Sequence, residues 1–152
     1  MTQFTLKLIE GQENPVIKLD NFFNFTALID TGARIPVWLE DEKEIQTPGG
    51  ILKQKNVRIR GLSQKVSTGN LYTLSNFQIG KIIYTKLDII VLPDEKAPYS
   101  MLLSATMFRG MIYEIDDINH RFNVNVPDSD TVRNLAAYYD KKKDKVYVYY
   151  NQ

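Results

Sequence analysis

Asp30 stands in Leu28-Ile29-Asp30-Thr31-Gly32-Ala33, where two apolar residues lead one carboxylate into a turn closed by glycine. The apolar lead-in is a strand signal and the Thr-Gly pair a turn signal, so the carboxylate is expected at a strand end. Amide hydrolysis by carboxyl groups alone needs one of them charged, to take a proton from water. A second must be protonated, to supply a proton to the carbonyl. The chain has no second Asp-Thr/Ser-Gly, and Asp130-Thr131-Val132 lacks the glycine. If Asp30 is catalytic, its simplest partner is therefore Asp30 of a second copy, and this motif then predicts a hydrolytic activity and a homodimer together.

Little else in the composition competes for chemistry. There is no cysteine, which excludes disulfides, thiolate nucleophiles and Cys-ligated metals. The single histidine, His120, leaves no basis for histidine triads or multi-histidine metal sites, and no metal or organic cofactor is implied. Lys and Arg total 19 against 18 Asp and Glu, so nucleic acid and membrane surfaces are not expected partners. Lys141-Lys142-Lys143 is bracketed by Asp140 and Asp144 and reads as a solvated helix end or turn. The N-terminus alternates polar and apolar residues without a signal-peptide core, and no segment is long and apolar enough to span a bilayer; a cytoplasmic protein is expected.

The elements that must position Asp30 are mostly β. Short apolar runs broken by Gly, Pro, Asn and Asp recur, and 152 residues suit one domain. Strands are expected around Phe4–Leu8, Val16–Leu19, Phe25–Asp30 and Ile35–Leu39, with Trp38 in the core. Val57–Ile59 and Leu71–Thr73 flank a polar, glycine-bounded hairpin tip: Gly61, Leu62, Ser63, Gln64, Lys65, Val66, Ser67, Thr68 and Gly69. Further strands are expected at Phe77–Tyr84, at the nearly all-apolar and so central Leu87–Leu92, and at Met101–Ser104, followed by a helical turn at Ala105–Arg109. Met111–Ile115 and Arg121–Val126 form a hairpin about Asp116-Asp117-Ile118-Asn119. After N-cap candidates at Asp128, Ser129 and Asp130, the spacing of Val132, Leu135, Ala136 and Tyr139 predicts a helix, and Val146–Tyr150 a closing strand.

The order of these features over Phe4–Val126 resembles that of the retropepsin-like aspartic peptidases, retroviral-type homodimeric enzymes with bacterial relatives. The resemblance rests on Ala27-Leu28-Ile29-Asp30-Thr31-Gly32-Ala33, then a hairpin where the family has its flap, then an apolar strand. Met101-Leu102-Leu103-Ser104 follows where the family has apolar-apolar-Gly before a short helix. It implies a closed β-barrel (the acid protease half-domain) over residues 1–127, carrying a C-terminal helix and strand over 128–152.

The resemblance also assigns roles. Asp30 is the catalytic carboxylate; Thr31 hydrogen-bonds across the two-fold axis; Gly32 supplies space and a backbone N–H; Leu103 and Ser104 pack beneath the loop. The 61–69 hairpin closes over an extended peptide, and Tyr72 is near enough to reach the cleft. Three departures stand out. Ser104 replaces the family's glycine, Ala105-Thr106 replace a basic-acidic pair used in dimer contacts, and Arg34 follows Ala33 where retroviral members have an acid. Ala33 also lacks the hydroxyl that a serine offers the carboxylate, so activity is expected in mildly acidic solution. These departures motivate two alternatives: a non-cleaving dimerisation or peptide-binding module, and a half-site completed by a different chain.

Other candidates carry plainer readings. His120 is a surface residue at a hairpin; Asp116 and Asp117 serve their turn, since neighbouring strand residues point opposite ways. Asp88 faces solvent or forms an ion pair, Arg34 contacts substrate, the other subunit or an ordinary ion-pair partner, and the tyrosine-rich end belongs to a paired strand.

Overall fold

The computed structural model describes residues 1–19, 25–60, 65–92 and 97–150. In chain order the strands are β1 (Thr2–Lys7), β2 (Val16–Leu19), β3 (Phe25–Asp30), β4 (Val37–Trp38), β5 (Ile51–Arg60), β6 (Val66–Ile79) and β7 (Ile82–Val91). They continue as β8 (Met101–Ser104), β9 (Ile112–Asp116), β10 (Arg121–Val126), β11 (Val132–Asp140) and β12 (Lys145–Tyr150). Short 3-10 turns lie at Glu42–Ile45, Ala105–Phe108 and Asp128–Asp130. The expected mostly β class holds.

Two sheets carry the chain. One runs β1-β10-β9; the other runs β12-β11-β7-β4-β8-β3-β2, with β6 pairing β5 and β7. Among the described residues this path is open at β12 and β2, so the expected closed barrel is not formed. The β7 strand is central because Leu87 through Val91 are all buried and it pairs on both sides, with β6 on one and β4 and β11 on the other. A run without period-2 alternation is what a strand covered on both faces requires. Trp38 is fully buried, edge-on to Phe25 at 5.1 Å, in the larger of two apolar clusters.

The expected C-terminal helix is instead strand β11. It pairs in parallel with β7 (Val132↔Ile83 to Leu135↔Leu87) and antiparallel with β12. Its inward residues are Leu135, Ala137 and Tyr139, a period of two that coexists in the sequence with the helical spacing. The sheet offers β11 a neighbour on each side, and the β-branched and aromatic side chains suit that surface. The N-cap candidates serve a 3-10 turn, in which the Thr131 hydroxyl donates to the Asp128 carbonyl at 3.1 Å.

Phe77–Tyr84 is not one strand: Gly80, with φ +55°, turns the chain between β6 and β7, and Phe77 pairs with Tyr84 across that hairpin. Asp88, enclosed in β7 at 2% exposure, takes the ion-pair option. Its carboxylate accepts from Lys53 Nζ at 2.5 Å, the Thr73 hydroxyl at 2.5 Å and the Ala137 backbone N–H at 2.8 Å, linking β5, β6 and β11. A buried charge is tolerated only with such complete pairing. No helix among the described residues is long and apolar enough to cross a membrane.

Candidate active site

Strands β3 and β8 run parallel, with Asp30 level with Ser104. Parallel pairing sends both chains out at the same end, so the loop after Asp30 and the turn after Ser104 meet there. Asp30 is half-buried; Thr31 and Gly32 are exposed and Ala33 half-buried. The Gly32 N–H donates to Asp30 Oδ1 at 3.0 Å, and the Ala33 N–H to the Asp30 carbonyl at 3.1 Å. A Cβ built on Gly32 would stand 3.4 Å from the same Oδ1, so the missing side chain leaves that edge of the carboxylate open.

Ser104 is fully buried and bonded. Thr106 donates its hydroxyl to the Arg34 carbonyl at 2.6 Å, so Ser104 must be the donor in its own 2.6 Å contact with the Thr106 hydroxyl. The Ala105 N–H donates to the Ala33 carbonyl at 3.1 Å. The Ser104 hydroxyl thus begins a relay fastening the Asp30 loop to the Ala105–Phe108 turn. In the sequence Thr106 stands out only as a departure in the dimer contacts, and this bond is not foreseen; two hydroxyl residues two positions apart at the end of an apolar strand were the available signal. Leu103, also fully buried, packs in the main core beneath.

Asp30 opens into a cavity of about 950 Å³, lined on the loop side by Gly32, Ala33, Arg34, Ile35 and Val37. That is room for several residues of an extended chain. Of the nine residues expected in the hairpin tip, Gly61, Leu62, Ser63 and Gln64 lie outside the described residues. Lys65, Val66 and Ser67 line the cavity; Thr68 and Gly69 do not.

From Val66 on, the segment is strand and not tip, pairing Val66, Ser67, Thr68 and Gly69 with Arg60, Ile59, Arg58 and Val57. Gly69 is required by close packing, since a Cβ there would meet the Val91 carbonyl oxygen at 2.1 Å. Tyr72 does not line the cavity. Its hydroxyl donates to Glu42 Oε2 at 2.6 Å, and burial, then the Glu42 contact, push its pKa up to about 12.

One wall was not foreseen. Asp144, Lys145, Val146 and Tyr147, from the β11–β12 hairpin, line the same cavity as Asp30, as do Arg58 and Arg60 of β5. Asp144 pairs with Arg58 at 3.6 Å and accepts from the Tyr139 hydroxyl at 2.5 Å, a bond that raises the phenol's pKa. Among the described residues, no three His, Asp or Glu side chains are grouped to hold a metal ion.

No family profile and no curated protein sequence matches the chain. Among solved structures it is similar to the crystal structure of a retropepsin-like aspartic protease from Rickettsia conorii. The TM-score is 0.56 at 18% identity, over 82% of this chain and 91% of that one. The fold is retropepsin-like. At that identity the likeness concerns the path of the backbone. On this retropepsin-like frame, the sequence motif and the backbone place Asp30 at the same point, a strand end beneath a cavity.

Proposed function

We propose that the protein is an aspartic endopeptidase that acts as a homodimer, with one Asp30 from each copy. The observation that carries this reading is the half-buried Asp30 carboxylate, oriented by the Gly32 N–H at 3.0 Å and opening into a peptide-sized cavity of a retropepsin-like fold. The lone carboxylate supports the dimer. Among the described residues Asp144 is the other acid on the cavity wall, and its oxygens are committed to Arg58 and Tyr139.

Two Asp30 carboxyls brought to about 3 Å share one proton, because like charges that close do not both ionise. The charged member takes a proton from a water held between them, and that oxygen attacks the scissile carbonyl carbon. The protonated member passes its proton to the carbonyl oxygen. Collapse of the resulting diol breaks the C–N bond, with a proton returned to the leaving amine. Thr31, exposed on the loop, would meet the partner loop, and the edge of the β5–β6 hairpin would pair with the extended substrate.

The test compares wild type with Asp30→Asn on a diverse peptide pool between about pH 4 and 7, alongside sedimentation at micromolar concentration. Cleavage in mild acid by a dimeric wild type, and none by the variant, is expected. Cleavage by both overturns the role of Asp30. Cleavage by neither favours the non-cleaving peptide-binding module, and a persistent monomer defeats the shared site.

A further inference from the structure

The cavity walls are electrically one-sided in a chain that is nearly neutral overall. The net charge is +1, yet among the described residues Arg34, Arg58, Arg60, Lys65 and Lys145 line the cavity against two carboxylates, Asp30 and Asp144. Arg58 is matched by Asp144 at 3.6 Å. The other four cations are exposed, and among the described residues no carboxylate lies within ion-pair distance of them. They come from three elements that only the fold brings together: the loop after β3, the adjoining ends of β5 and β6, and β12. Between them the lining is apolar, with Ile35, Val37, Leu92 and Leu102.

We infer that the cleft takes extended peptides with apolar residues at the scissile bond and aspartate or glutamate on either side. This rests on the peptidase reading of the site. The apolar lining accepts the central side chains, while Arg34 and Arg60 present planar forks that match carboxylates in bidentate fashion. Lys65 and Lys145 add point charges on the flap and C-terminal walls. A two-fold dimer repeats the set on the other half of the substrate. A strand-like peptide suits these walls better than a polyanion does, because the cations are spread around an apolar channel and do not form a continuous stripe.

The test uses three peptides with one apolar centre, flanked by Asp/Glu, by Asn/Gln or by Lys. Cleavage by wild type is measured as kcat/KM, and binding to Asp30→Asn by fluorescence anisotropy. The acidic peptide is expected to lead the neutral one by about tenfold at low salt, the combined effect of several exposed pairs, and to lose that lead as salt shortens the screening length. Arg60→Glu with Lys65→Glu, checked for fold by circular dichroism, is expected to reverse the order of the acidic and basic peptides. Equal cleavage of all three overturns the acidic preference and leaves the peptidase standing. Tight binding of the acidic peptide to Asp30→Asn without cleavage by wild type supports the charge reading and removes the peptidase. A single-stranded oligonucleotide that displaces the acidic peptide at equal concentration overturns the proposal in favour of nucleic acid.

Discussion

Two walls of one cavity were built in opposite ways. The Asp30 wall is a local motif: the strand Phe25–Asp30, a tight turn, and the short parallel strand Met101–Ser104 that steadies it. The C-terminal wall, Asp144–Tyr147, exists because β11 found a place beside β7. The first wall carries the candidate chemistry and the second sets shape and charge. A candidate catalytic loop can thus be legible in a sequence while the cleft beside it is not.

Breaking the first wall without touching the second calls for Asp30→Asn. Peptidase activity is expected to fall by at least about a hundred- to ten-thousand-fold, with the thermal midpoint nearly unchanged. An equal loss of stability would mean that Asp30 is chiefly structural.

Asp88→Ala attacks the second wall from beneath. It strands the Ala137 N–H and the Thr73 hydroxyl and leaves Lys53, partly exposed, without its counter-ion. Destabilisation by about 2–4 kcal/mol is expected in urea titration. A change under about half a kcal/mol would show that β11 does not depend on this carboxylate.

Thr106→Val sharpens the comparison at the first wall. It removes the donor to the Arg34 carbonyl and leaves the buried Ser104 hydroxyl without its partner, so a cost of about 1–2 kcal/mol and a lower kcat are expected. Ser104→Gly is the milder control, because it removes the buried hydroxyl together with its need for a partner.

The smallest effect is alkaline and lies at the β6 flank. Tyr72 has its folded pKa raised to about 12 from 10.0. Its contribution to stability is therefore complete below about pH 10 and is lost as pH rises towards 12. Absorbance titration is expected to show a late-ionising tyrosine that Tyr72→Phe removes; an unchanged titration curve would place that phenol elsewhere.

Legibility followed the range of the interactions. Phe25–Asp30 and Met101–Ser104 were read to the residue, because a short apolar run ending in turn chemistry describes itself. The Phe77–Tyr84 reading failed because Ile79-Gly80-Lys81-Ile82 hides a tight turn between two apolar ends. Val132–Tyr139 carried both a helical and a two-residue period, and nothing within the segment chose between them.

By itself, the sequence determined the β class, the core position of Trp38, and a carboxylate at a strand end leading into a glycine turn. Only the tertiary structure decided that the tail is sheet, that Ser104 and Thr106 form a relay to the Asp30 loop, and that dispersed basic residues share one cavity. The reason is physical. A turn is chosen by its own few residues, whereas a strand is chosen by the neighbour that takes its hydrogen bonds, and that neighbour can lie far along the chain, as Ile83 does from Val132.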